Sequence, residues 1–207
     1  MHMKTIRILL ILSVVLVTGI WVQAAEPGSP TEQLKPSLDS LVDILKDESL
    51  KGDAKKVERR RLIMKEISNG FDFREMSQRV LGRTWNTITP EQQDYFVVQM
   101  TKLLENVYVG KLETYSGEKV EFVEERVKGN RAQVTTLIED QGVKLPVHYI
   151  MQKTGSKWMV YDINIEGVSL IRNYMEQFRS ILRQNDYEGL VKIIEEKNLS
   201  FKESNGS

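Results

Sequence analysis

Apolar residues fall at helical spacing through the first half of the chain and at alternate positions through much of the second. Leu34, Leu38, Leu41, Val42 and Leu45 recur every three or four residues, which predicts an amphipathic helix. Gly52 and Asp53 break that pattern and cap the next helix. Its apolar side is Val57, Met64 and Ile67, and it stops at Asn69-Gly70. Phe71-Asp72-Phe73 opens a short helix carrying Met76, Val80 and Leu81, closed by Gly82. Thr89-Pro90-Glu91-Gln92 reads as a capping box with proline at the first helical position. The helix it starts should run to about Tyr115, where Ser116-Gly117 ends it. This helix carries two apolar rows, Phe96, Met100, Leu103, Val107 and Val97, Leu104, Tyr108, Leu112, Tyr115. A surface helix needs one stripe, so two adjoining rows predict broad burial.

The period then changes to two. Lys119 to Lys128, Arg131 to Asp140, Val143 to Lys153 and Lys157 to Ile165 alternate. Gly129-Asn130, Asp140-Gln141-Gly142 and Thr154-Gly155-Ser156 separate them, and turns this short join antiparallel neighbours. The expectation is a four-stranded meander. Val143, Leu145, Val147, Tyr149 and Met151 share one face of the third strand. Met159, Tyr161, Ile163 and Ile165 share one face of the fourth, with Trp158 and Val160 opposite. Pro146 argues for an edge position or a bulge. Two helices follow. Leu170, Ile171, Tyr174, Phe178, Ile181 and Leu182 mark the first; Asp186 can cap the second, whose apolar side is Tyr187, Leu190, Val191 and Ile194.

At the start, Lys4 and Arg7 precede an apolar run from Ile8 to Val22 and a Val22-Gln23-Ala24 cleavage pattern. This reads as a secretory signal peptide over 1–24, too short for a membrane span of about 20 apolar residues. Residues 25–30 read as a linker, 31–198 as one α+β domain and 199–207 as a loose tail. Removing Lys4 and Arg7 leaves 27 basic against 29 acidic side chains, a balance that gives no reason to expect nucleic acid. The cluster Lys55, Lys56, Arg59, Arg60, Arg61 reads as a solvated helix face.

Catalytic chemistry finds little to work with. The chain has no cysteine, so it offers no thiol, no disulfide and no lipid-modified cysteine. His148 is the one histidine beyond the leader, which leaves no basis for a zinc site. No acid cluster with a turn glycine suggests calcium, and no phosphate loop or dinucleotide fingerprint is present. Ser169 sits at a strand-to-helix turn, where hydrolases hold a nucleophile. The nucleophile elbow needs glycine two residues on either side; Gly167 satisfies this and Ile171 does not. His148 would have to be the base and Asp162 its orienter. The reading preferred is that Ser169 caps the following helix while Gly167 relieves the turn.

What remains is an apolar excess. Phe96, Met100, Leu103, Tyr108, Val147 and Tyr149 are candidates to face one interior. Met151, Tyr161, Ile163, Tyr174 and Phe178 join them. A meander wrapped by helices can enclose a cavity suited to an apolar ligand, with methionine adapting its shape and tyrosine presenting a polar tip.

The stretch FDFREMSQRVLGRTWNTITPEQQDYFVVQMTKLLENVYVGKLETY, followed by WMVYDINIEGVSLIRNYMEQF, resembles the MlaC family. These are periplasmic phospholipid-binding proteins of outer-membrane lipid asymmetry, also called toluene-tolerance auxiliary components of ABC transporters. The resemblance rests on Phe71-Asp72-Phe73, Leu81-Gly82 with Trp85, Thr89-Pro90-Glu91-Gln92, and Tyr108 with Leu112 and Tyr115. It continues through Trp158, Tyr161-Asp162, Glu166-Gly167-Val168-Ser169, Asn173-Tyr174 and Gln177-Phe178, and spans about Thr31 to Glu196. Met175 stands where arginine is common in the family, and Asp186 where glycine is common. The resemblance implies a non-enzymatic, monomeric carrier that holds phospholipid as cargo, with no cofactor. Its implied partners are an inner-membrane ABC transporter with an MCE-domain ring and an outer-membrane lipoprotein–porin complex. The implied fold is an α+β cone of the NTF2-like kind with an apolar cavity. The competing function is a small periplasmic hydrolase or isomerase in the same cone. Two acyl chains carry on the order of 30 methylenes, roughly 25 kcal/mol of gross burial at about 0.8 kcal/mol each. That favours a pocket toward the top of the ~300–1,000 Å³ range. No cationic clamp that would read a headgroup stands out.

Overall fold

The computed structural model describes residues 28–113, 115, 117–140 and 142–205. The expected leader, 1–24, lies outside the described residues. Six helices and a sheet of five strands in the order β1-β2-β3-β4-β5 make up the described fold, together with short 3-10 turns. Helix α1 spans Pro30–Lys46, α2 Lys56–Gly70, α3 Phe73–Leu81 and α4 Pro90–Leu112. The strands are β1 Lys119–Lys128, β2 Arg131–Asp140, β3 Val143–Thr154, β4 Lys157–Ile165 and the two-residue β5 Val168–Ser169. Helices α5, Leu170–Leu182, and α6, Tyr187–Asn205, follow. The α+β class and the antiparallel meander are as expected. The added strand, β5, arises because Glu166 and Gly167 take positive φ, 52° and 82°, and turn the chain back onto β4.

Local signals set most element starts. Thr89 Oγ1 accepts from Gln92 N–H at 3.3 Å while Gln92 Oε1 accepts from Thr89 N–H at 2.9 Å, completing the capping box of α4. Ser29 and Glu32 form the same reciprocal box for α1. Ser29 and Pro30 therefore belong to a helix start, which corrects the linker expected through Pro30. Asp72 accepts from Glu75 N–H at 2.9 Å to cap α3. Asp186 accepts from Gly189 N–H at 2.9 Å to cap α6.

Four further expectations change. Helix α4 ends at Leu112, short of Tyr115. In α2 the buried residues are Arg59, Ile63 and Gly70, while Val57 is 82% exposed. Arg59 therefore leaves the solvated basic face: its guanidinium donates to the Glu113 carbonyl at 3.5 Å, and Arg60 pairs with the Glu113 carboxylate at 3.6 Å. The tail expected from Leu199 is helical through Asn205, with Phe201 packed against the core. In β4 the register slips between Ile150 and Met151 of β3, so Ile150 pairs with Asp162 and Met151 with Val160. Tyr161 is the extra residue of a bulge. Beyond it Val160 and Trp158 turn to the core face opposite Met151 and Lys153, and Met159 leaves it opposite Gln152. Pro146 sits one residue past the last β3–β4 pair, where its missing N–H is tolerated.

One main core forms on the sheet face carrying Val134, Tyr149, Met151 and Val160. Helix α1 crosses this face and is pinned there: Gln33 Oε1 accepts from Trp158 N–H at 2.8 Å, and Thr31 N–H donates to Glu125 at 2.7 Å. A smaller cluster of Leu45, Ile63 and Val109 joins α1, α2 and α4. No helix among the described residues is long and apolar enough to cross a membrane.

Candidate functional site

A cavity of about 410 Å³ lies between the α1–α2 pair, α4 and the β4–β5 end of the sheet. Leu38 and Leu41 of α1 and Met64 and Ile67 of α2 form one wall, and Phe71, Phe73 and Met76 continue it into α3. Leu104, Tyr108, Val109 and Leu112 of α4 form the second wall. The floor is Tyr149 with Ile163 and Ile165, and Val168, Leu170 and Asn173 complete the rim. Leu38, Phe71, Met76, Leu104, Val109 and Tyr149 are buried and mark the deep end, while Lys111, Ile165, Val168 and Asn173 are exposed and mark the mouth. The lining is apolar apart from the tyrosine hydroxyls, Glu105, Lys111 and Asn173.

Three residues named from the sequence line this cavity: Tyr108, Tyr149 and Ile163. The rest are placed elsewhere. Phe96, Met100, Leu103, Val147 and Met151 are buried in the main core outside the lining. Phe96 packs edge-on against Phe178 at 6.2 Å between ring centroids and lies 6.3 Å from Tyr187; Tyr174 and Phe178 meet at 5.6 Å. These rings fill the interior with one another. Tyr161, displaced by the bulge, lies under the Arg79 guanidinium at 3.8 Å. Because so many large side chains fill core, the cavity of about 410 Å³ falls in the lower half of the ~300–1,000 Å³ range of ligand pockets, short of the upper end expected for two acyl chains.

The lining residues of α1, α2 and α3 were legible as apolar positions but not as cavity wall. Nothing in helical spacing separates a residue facing a void from one facing a neighbour. Val168 and Leu170 depend on the β5 turn, which has no run of alternation to signal it.

Burial raises the pKa of the Tyr149 and Tyr108 phenols above the ordinary value. Tyr174 is raised as well, by burial first and then by the adjacent Tyr108 hydroxyl. These phenols stay neutral at any physiological pH, which suits an apolar wall.

Ser169 has a structural assignment. Its Oγ accepts from Arg172 N–H at 3.0 Å, capping α5, and its hydroxyl donates to Asp162 at 2.5 Å. Asp162 also accepts from Ile171 N–H at 3.0 Å. The carboxylate thus contacts the serine directly, with no imidazole between. His148 lies two strands away from β5, about 10 Å by strand spacing. Its Nδ1 meets Thr135 at 3.0 Å and Gln133 at 3.3 Å. Among the described residues there is no cluster of His, Cys, Asp or Glu that could hold a metal ion. A second hollow, about 530 Å³, lies between α3 and the end of α5, where Arg83, Arg179 and Arg183 rim Val80, Leu81, Met175 and Leu182.

The chain is 27% identical to a phospholipid-binding protein from Ralstonia solanacearum, whose structure is of a complex with a phospholipid. The two superpose with a TM-score of 0.76, covering 84% of this chain and 99% of that one. It is also 26% identical over 119 residues to the intermembrane phospholipid transport system binding protein MlaC of Haemophilus influenzae. That match covers 55% of this chain and 56% of the relative, so it spans little more than half of that protein's length. The model of the MlaC protein family matches residues 35–196, a span that holds the whole sheet and every wall of the cavity. By that match, this chain belongs to the MlaC family.

Proposed function

We propose that the protein is an exported phospholipid carrier of the periplasm, which holds acyl chain in the cavity between α1–α2, α4 and the sheet. The observation that carries this reading is the cavity itself: about 410 Å³, almost wholly apolar, and open at one end where polar side chains begin. Support comes from the Ralstonia solanacearum relative, which shares the fold over nearly its full length and was solved with a phospholipid. The Haemophilus influenzae relative, named for intermembrane phospholipid transport, points the same way. The chain is read as a monomer that exchanges lipid between an inner-membrane MCE-domain ABC transporter and an outer-membrane lipoprotein–porin complex. The leader over 1–24 would be removed on export.

The cavity, open at one end, has a volume of about 410 Å³, below the upper end expected for two acyl chains. A two-chain lipid must part the walls or leave one chain along the open mouth, where Ile165 and Val168 are already exposed. Partial exposure of this kind makes release to a partner easier than full enclosure would. Native mass spectrometry of the purified protein tests the reading. The expected spectrum shows one phospholipid per chain. A protein that is empty, and that also takes no lipid from vesicles, overturns it. The hydrolase alternative is tested separately by Ser169→Ala, which abolishes ester turnover in a hydrolase and leaves lipid binding intact in a carrier.

A further inference from the structure

Three arginines converge on the second hollow, and none of them has a partner among the described residues. Arg83 follows the end of α3, and Arg179 and Arg183 stand one turn apart at the end of α5. All three are exposed and line the same space of about 530 Å³. No described residue pairs with, or accepts a hydrogen bond from, their guanidinium groups. Glu176, three residues before Arg179, forms no ion pair with it. The arginines of α3 itself are engaged: Arg74 holds Asp94 and Arg79 holds Glu75. Cations suit the last turn of a helix, which accounts for basic residues at both helix ends. It does not account for the apolar floor between them, formed by Val80, Leu81, Met175 and Leu182. Beyond the leader the chain carries 27 basic against 29 acidic side chains, so this cluster is a local segregation of charge and not the overspill of a basic chain.

We infer that this hollow docks an acidic segment of a partner protein. Its carboxylates are held by Arg83 on one wall and by Arg179 and Arg183 on the other, and an apolar side chain is seated on the floor. Guanidinium groups match carboxylates in a two-pronged contact, and arginine and methionine are enriched where proteins meet. Other anions use only part of the site. A flat bilayer reaches the exposed arginines but does not fill a recess. An inorganic anion satisfies the arginines and leaves the floor wet. The position also leaves cargo free to move. Helices α3 and α5 begin at the apolar cavity, with Phe73 and Leu170 in its lining, and end at the hollow, with Leu81 and Leu182. At ~1.5 Å of rise per residue these spans are about 12 Å and about 18 Å. A segment bound at the hollow therefore leaves the cavity mouth uncovered. The inference does not depend on what the cavity carries.

The test is fluorescence anisotropy with a labelled synthetic peptide, a central leucine flanked by glutamates, set beside counterparts with glutamine for glutamate or serine for leucine. At low salt the acidic peptide should bind about tenfold to a hundredfold tighter than the glutamine peptide, the range for three exposed charge pairs. Serine for leucine should weaken binding, and so should raising salt through about 0.15 M. Arg83→Gln, Arg179→Gln and Arg183→Gln should each weaken it by about two- to fivefold. Arg61→Gln, at an exposed position of α2, should leave it unchanged. Co-purified lipid and melting point should match the wild type in every variant, which keeps a failure of the carrier reading separate from a failure here. A wild type that binds the acidic and glutamine peptides equally, or binds neither, overturns the inference. Equal weakening by Arg61→Gln overturns it as well, because charge attraction is then at work without a site. Flotation with phosphatidylglycerol vesicles that needs the same three arginines, in a protein that binds no peptide, assigns the patch to a lipid surface and overturns it too.

Discussion

Replacing Ile163 with tryptophan separates a lipid cavity from ordinary core. Ile163 is half-buried on β4, opposite Tyr149 of β3, and its side chain lines the cavity. An indole in place of a sec-butyl group adds about six heavy atoms. Each methylene of acyl chain buried in the cavity is worth ~0.8 kcal/mol. Displacing about six of them removes up to ~5 kcal/mol. If the chain recovers half of that by sliding toward the mouth, about 2.5 kcal/mol is still lost, so binding weakens between tenfold and a hundredfold. The fold itself should suffer little, because the indole enters space that no side chain occupies. Val147→Trp is the matched control. Val147 lies on the same sheet face but is 4% exposed, outside the cavity lining, and bracketed by Thr136 and Ile165 on the neighbouring strands. Overpacking there costs about 1–3 kcal/mol, or a melting point about 2–12 °C lower for a chain of this size. Lipid content by mass spectrometry and melting of the delipidated variants are the two readouts. Ile163→Trp should lose cargo and keep its melting point; Val147→Trp should lose stability while its folded fraction keeps cargo. An Ile163→Trp protein with full lipid load and wild-type melting would refute the assignment of the acyl site to this cavity.

Three other outcomes follow from the same geometry. Ser169→Ala removes the cap of α5 and the donor to Asp162, and should cost about 1–2 kcal/mol in urea unfolding with no change in lipid load. Glu113→Ala strips Arg60 of its ion pair where both side chains are only 16% exposed; a loss of about 1–2 kcal/mol and a lower melting point are expected. Alkaline titration should be delayed for the buried phenols: Tyr187 is pushed up to about 12 and Tyr108, Tyr149 and Tyr174 are raised, in each case mainly by burial. A raised phenol pKa favours the protonated folded state, so the stabilisation is complete below about pH 10 and is lost as pH climbs from there through 12. Tyrosinate absorbance that rises fully at pH 10 in the folded protein would contradict this burial.

Residue spacing alone was enough to locate most elements, because their boundaries are local events. The α4 start needs only four consecutive residues, Thr89 to Gln92, to satisfy its own amides. The strand breaks at Gly129, Gly142 and Gly155 need only a residue that tolerates the positive φ found there, 61°, 84° and 62°. Ser169 could be read as a cap for the same reason: its partner Arg172 N–H is three residues away. The face of Trp158 and Val160 was not legible, since one inserted residue at Tyr161 reverses the side-chain alternation and leaves composition unchanged. Burial of Arg59 also required the fold. Its partner is the carbonyl of Glu113, 54 residues away, and reaches it only once α2 lies across the end of α4. The division between cavity and core belongs to the tertiary structure altogether. Phe96, Tyr174 and Phe178 have the same apolar character as Tyr108 and Ile163, yet the first three close on one another while the last two face open volume. Periodicity determines which side of a helix or strand must leave water. Whether another side chain arrives to fill the space beyond it depends on where distant helices come to rest.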